Sequence, residues 1–294
     1  MKYFEPPEPN YDAYSNRRLL AVPIVLVLLA ILVLVGWSIF TGVPIERGIT
    51  FTGGTEVRVT VDGGVDEPQQ LLEDSFRAET DSITSIPGTD GYIVTFQKGD
   101  TTPEQLEQDA SGEDNIEISQ LSQISASLGN DAQLTALYGI LIAFGLMAVL
   151  VTALFRSIIP AVVILLSAVG DMLVPLAAMN LVGIELSLGT VGALLMLIGY
   201  SVDSDILLNK YVLRSSNQGK FVERVHEAMR TGITMTVTSL SAMVVMFVLA
   251  TAFGVGLLAD MGFVLAVGLL TDLVNTYMMN VSILRWYVNR GDSQ

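Results

Sequence analysis

The 294-residue sequence predicts an α-helical membrane protein with six transmembrane helices and a small α+β domain inserted after the first of them. Three observations lead there. Residues 19–40, 132–155, 157–181, 186–212, 231–252 and 258–284 are apolar runs, each long enough at 1.5 Å per residue to cross a bilayer. Hydrophobic residues make up 51% of the chain and the mean hydropathy is +0.56, which excludes an ordinary soluble globule. Finally, residues 46–131 carry 18 acids against 4 bases, whereas the remainder carries 12 against 11. The acidic charge is therefore gathered between the first two apolar runs.

Residues 1–18 read as a polar tail with prolines at 6, 7 and 9, closing on Arg17-Arg18. The run 19–40 exceeds the apolar core of a cleaved signal and no small-x-small cleavage site follows it, so it reads as a retained first helix. Residues 41–131 then change character. Glu56–Val61 and Tyr92–Gln97 alternate as strands do, and Asn115–Ile124 reads as a closing strand. Pro68–Arg77 reads as a helix with proline near its start. A second helix opens at Pro103-Glu104, capped by Thr101 or Thr102. The order strand–helix–strand–strand–helix–strand suggests a ferredoxin-like domain. Residues 132–294 form a five-helix bundle in which Phe155-Arg156-Ser157 is a tight hairpin link.

The chain holds no cysteine and one histidine, His226, so thiolate metal sites, disulfides and multi-histidine centres are excluded. No cofactor is implied. Nucleic-acid binding finds no support, because no basic patch stands outside the membrane flanks. With 4 lysines against 11 arginines, the acidic segment looks adapted to molar salt, where the Debye length shrinks to about 3 Å. Basic residues number 3 in the N-terminal tail, 1 in the Arg156 link, 5 in the 209–230 loop and 2 at the C-terminus, against none in the loops near 182–185 and 253–259. Positive-inside counting places both termini in the cytoplasm and the acidic domain outside. The amphipathic segment 221–229 then lies along the inner surface.

Chemistry concentrates in Gly199-Tyr200-Ser201-Val202-Asp203-Ser204-Asp205-Ile206-Leu207-Leu208, inside the fourth apolar run. An acid at mid-membrane costs about 3 kcal/mol on the insertion scale, and intramembrane acids are ion-handling candidates by default. Asp203 and Asp205 point about 200° apart on a helix, so they cannot serve one face. Asp203 shares its face with Gly199, whose small size would admit a neighbouring helix, and this ranks Asp203 above Asp205. Asp205 lies over Ser201 and Asn209. Asp171 sits midway along the third run, one turn before Pro175. Asp272 sits midway along the sixth and reads equally as a structural hydrogen-bonding group. Arg230, at the inner edge of the fifth, either snorkels to headgroups or turns inward to pair with Asp203 or Asp205.

The stretch 199–208 resembles the fourth membrane helix of the SecF family, accessory subunits of the protein-export translocase within the resistance-nodulation-division type of transporter. Arg-Gly-Ile-Thr-Phe-Thr-Gly-Gly-Thr (47–55) is similar to the family signature after the first helix, which brings in Phe51, Thr52, Gly53, Gly54 and Thr55. Met229-Arg230-Thr231, followed by Thr236, Thr238 and Ser239, is similar to the segment opening the fifth helix. The resemblance covers nearly the whole chain and, with the acidic domain, implies an archaeal, halophilic member. It implies an ion pathway through Asp203, Asp205, Arg230 and Asp171, with Asp272 and Ser204 secondary, and it favours an inward Arg230. Bacterial members usually carry an aspartate where Ser204 stands. The implied partners are SecD, the SecY channel and exported polypeptides, with no covalent chemistry. A half-transporter exporting a small amphiphile and a non-transporting scaffold are the alternatives. The glycines of the signature read as a tight turn or close packing, because the lysine of a phosphate loop is missing.

Overall fold

The computed structural model describes residues 14–61, 67–78, 80–86, 90–97, 102–113, 115–156, 158–214 and 221–291. Residues 1–13 of the tail and 215–220 of the inner loop lie outside them, as does Thr101, one of the two expected caps. Six helices are long and apolar enough to cross a membrane, and the chain is a multi-pass membrane protein.

Helix α1 (Asn16–Thr41) stops at Gly42, which takes the left-handed conformation (φ 80°) and returns its N–H to the Ser38 carbonyl. The chain then makes one helical turn, α2 (Ile49–Thr52), and enters strand β1 (Gly54–Val61) through Gly53 and Gly54 at φ 74° and 151°. A Cβ on Gly54 would sit 2.6 Å from the Phe96 carbonyl oxygen, so the signature glycines serve a turn and a close backbone approach.

Helix α3 (Pro68–Ser75), strands β2 (Thr80–Ser85) and β3 (Gly91–Gln97), helix α4 (Pro103–Ala110) and strand β4 (Ile116–Ile124) complete the domain. Thr102 caps α4 in a reciprocal box with Gln105. The sheet order is β2-β3-β1-β4, antiparallel throughout. Val57, Val59 and Val61 alternate onto one face of β1 and meet Leu72, Phe76, Val94, Phe96 and Leu106 in a closed core. Strand β2, Thr-Asp-Ser-Ile-Thr-Ser, is an edge strand without a clear alternating pattern, and no hydrophobic period marks it in the sequence.

Helix α5 (Ala126–Phe155) returns through the membrane and ends at Arg156, held at φ 50° in the hairpin link. Helices α6 (Ile158–Val182) and α7 (Leu188–Arg214) follow. Helix α8 (Phe221–Ala252) corrects the expectation of a separate surface segment over 221–229: it runs unbroken from Phe221. Val225 and Ala228 are buried with Leu208, Val212, Tyr277 and Leu284, so this apolar face packs on protein and not on headgroups. Helix α9 (Gly256–Val274) passes through a π turn (Asn275–Asn280) into α10 (Val281–Gly291). The core of the bundle lies among α5, α6, α7 and α9, with α1 laid against α6.

The root of the sheet domain is strapped to the bundle by main chain. Leu186, in the turn between α6 and α7, donates to the Glu46 carbonyl at 2.7 Å and accepts from the Gly48 N–H at 2.9 Å. Asn180 of α6 adds a bond to the Pro44 carbonyl at 2.7 Å. On the other side Gly129 of α5 lies flat on the signature turn, where a Cβ would come 2.7 Å from the Phe51 carbonyl oxygen.

Candidate functional site

Helix α7 turns Ser201, Ser204, Asp205, Leu208, Asn209 and Val212 into the bundle, the i, i+3, i+4, i+7 spacing of a single face. Asp205 is fully buried there. Asp203 and Gly199 lie on the opposite face, exposed, with nothing near Gly199. The ranking of Asp203 as the acid gripped by a neighbouring helix of this chain is therefore corrected. Small residues mark a close approach only where a second helix is present, and α7 turns that face outward.

Three carboxylates meet inside the bundle. Asp171 of α6 accepts from Ser201 Oγ at 2.6 Å and from Asn275 Nδ2 at 2.6 Å. Asp272 of α9 has Ser204 Oγ at 2.9 and 3.0 Å and Thr276 Oγ1 at 3.3 Å. Asp205 accepts from Thr276 Oγ1 at 2.7 Å and from Asn280 Nδ2. Thr276 therefore stands between Asp205 and Asp272. Ser204, which reaches Asp272 and the Ser201 carbonyl, extends the chain of contacts toward Asp171. Each of these named donors is a hydroxyl or an amide, so the carboxylates are held by neutral partners.

The π turn makes this possible. Its i→i+5 bonding sets residues five apart on one face, so Asn275 and Asn280 both look into the bundle while Asp272 and Thr276 keep their four-residue spacing. Pro175 adds polarity beside Asp171, because it cannot donate to the Asp171 carbonyl one turn back. Among the described residues, buried oxygens without a hydrogen-bond partner include Asp205 Oδ2, Asn209 Oδ1, Asn275 Oδ1 and Asn280 Oδ1. Each costs about 1–3 kcal/mol. The Ser167 hydroxyl is unpaired in the bundle as well. No group of three His, Cys, Asp or Glu among the described residues is placed to hold a metal ion.

Arg230 stands exposed on α8, and Asp205 Oδ2 has no partner, so the expected inward pairing of Arg230 with Asp205 is not formed. Nor does any bond tie it to Asp203, on the outer side of α7. The buried arginine is Arg224, which donates to the Val212 carbonyl at 2.7 Å and closes the end of α7. Asn275, Thr276 and Asn280 were legible only as polar residues interrupting an apolar run.

Residues 105–290 match the family model described as protein export membrane protein SecD/SecF, C-terminal. The chain is 50% identical to the protein-export membrane protein SecF of Haloferax volcanii and 46% identical to that of Haloquadratum walsbyi, covering 99% of both chains in each case. The Methanocaldococcus jannaschii SecF is 35% identical over 92% of this chain and 94% of its own. Among solved structures, SecDF of Thermus thermophilus superposes with a TM-score of 0.77 at 19% identity, covering 98% of this chain and 40% of that one. The chain thus spans well under half the length of that SecDF. A super-membrane-facing form of SecDF gives a TM-score of 0.62 at 22% identity. Model, identities and full-length coverage agree: the chain belongs to the SecF family of protein-export membrane proteins.

Proposed function

We propose that the chain, a protein-export accessory subunit, works as one half of an ion-driven export motor completed by a SecD-type partner and acting beside a SecY-type channel. The observation that carries this reading is the run of three buried carboxylates, Asp171, Asp205 and Asp272, on three different helices and held by neutral donors only. While a carboxylate is ionised it draws the Ser, Thr and Asn groups of its neighbours onto itself. A proton arriving from the outer side removes that attraction, and α6, α7 and α9 are freed to shift against each other. Asp203 and Arg230, exposed at membrane depth, complete the pathway by facing the partner, since a charge turned to lipid costs about 3 kcal/mol. Both termini lie in the cytoplasm and the sheet domain lies outside, as the arginine and lysine distribution supports. Movement at the α6–α7 turn reaches the domain through Leu186 and helps draw emerging polypeptide outward.

Export of a reporter in cells carrying Asp171→Asn, Asp205→Asn or Asp203→Asn tests the reading. Loss of ion-driven export in Asp171→Asn and Asp205→Asn, with the complex still assembled, is the expected result. Normal export in all three singles and in the triple variant rejects ion coupling and leaves a scaffold. Loss of amphiphile efflux with normal export points to a half-transporter.

A further inference from the structure

Asp171 and Asp205 share a detail that ion handling alone does not require. Each is bonded by an asparagine amide from the π turn through Nδ2, Asn275 to Asp171 and Asn280 to Asp205. In each of those amides Oδ1 has no partner and the residue is fully buried. A primary amide carries a donor end and an acceptor end of nearly equal shape. The donor end fits a carboxylate, which can only accept. The acceptor end fits a carboxylic acid, which must donate its O–H.

We propose that Asn275 and Asn280 are positioning residues that hold Asp171 and Asp205 in either protonation state by a half-turn of their amides, rejecting neither. With the carboxyl ionised, Nδ2 donates and Oδ1 is idle. With it protonated, the O–H donates to Oδ1 and Nδ2 is idle. Each arrangement leaves one end of the amide unpaired, so the surroundings do not lock one state in place. An apolar neighbour would favour the acid, and a cationic one would pin the carboxylate. The Asn275 amide lies close on Gly170, where a Cβ would fall 2.9 Å from Nδ2, so a side chain at 170 would crowd that amide.

The ionisable groups around the pair fit this role. Asp272, from α9, shares Thr276 with Asp205. Arg224 on α8 is engaged by the Val212 carbonyl, and Arg285 on α10 bonds the Tyr14 carbonyl. Lys210 and Asp203 are exposed on the outer side of α7, Arg230 is exposed on α8, and Arg17 and Arg18 are exposed at the start of α1. None of these bonds to either carboxyl, and beside the hydroxyls of Ser201 and Thr276 the two amides are the groups that meet the proton.

This inference rests on the ion-handling reading, and infrared difference spectroscopy separates the two. The full chain, reconstituted with its partner in vesicles and labelled only at its asparagines, is measured in acidic against alkaline buffer. The expected result is a protonated-carboxyl band at acidic pH accompanied by a shift of the labelled amide carbonyl. Asn280→Gln, which keeps both amide ends but lies outside the label, should remove the Asn280 share of that shift while the carboxyl band persists. Asn280→Leu should lose ion-driven export by tenfold or more, and if it does not assemble, the Gln variant decides alone. A carboxyl band with a flat asparagine signal overturns the amide rotor and leaves ion handling standing. No carboxyl band at either pH overturns both.

Discussion

Ser204 Oγ lies 2.9 and 3.0 Å from the two carboxylate oxygens of Asp272, with both residues buried at the crossing of α7 and α9. The acid stands on α9, and the hydroxyl of the facing helix holds it. Ser204→Ala strips Asp272 of its nearest donor, so stability should fall by about 1–3 kcal/mol. Thermal unfolding of the purified chain reads this. Adding Asp272→Asn should cost less than its effect alone, because the two act as one unit. Strict additivity would dissolve the pair.

Gly129 carries the contact between α5 and the signature turn. A methyl there must displace the Phe51 main chain, which cannot move freely because Phe51 is itself buried. Gly129→Ala should destabilise the junction by about 1–3 kcal/mol, the usual cost of overpacking. Faster proteolysis at residues 43–47, with the bundle's own melting unchanged, is the signature to look for. Unaltered cleavage would show that the turn tolerates the methyl.

The sheet domain should depend on salt. Residues 46–131 carry a net −14, and the ion pair recorded among the described residues, Arg77 to Asp109 at 3.4 Å, has an arginine that is 84% exposed and contributes little. At molar salt repulsion reaches about 3 Å, whereas at 10 mM it reaches about 30 Å. Hydrogen exchange of β1–β4 in the intact chain should accelerate on dilution from molar to millimolar salt while α6 and α9 stay protected. Equal protection in both would make the acidity irrelevant to folding.

Orientation can be read without background, since the chain has no cysteine. With the domain outside and the α7–α8 loop inside, an impermeant maleimide applied to whole cells should modify Ser111→Cys and spare Ser216→Cys. The opposite pattern would invert the topology.

The acids themselves were legible in the sequence: Asp171, Asp205 and Asp272 each interrupt an apolar run. Which way they faced was not. Helix α7 is apolar nearly all round, so no stripe distinguished the face of Asp203 from that of Asp205, and Gly199 argued for a contact that this chain alone does not make. The domain was readable where Val57, Val59 and Val61 alternate, and unreadable at β2, whose pattern is set by its place at the sheet edge. Asn275 and Asn280 escaped notice because five-residue spacing has no meaning until the π turn exists. Segment 221–229 looked surface-bound because amphipathicity reports an apolar partner without saying whether it is lipid or protein.

The strap at Leu186 has a mechanical meaning. Its two hydrogen bonds seize the chain at Glu46 and Gly48, between the end of α1 and the beginning of β1, so the sheet has no free swivel at its stem. Leu186 itself sits in the turn joining the helix of Asp171 to the helix of Asp205. A change of angle between those two helices would therefore be felt first at the stem of the sheet, at Glu46 and Gly48.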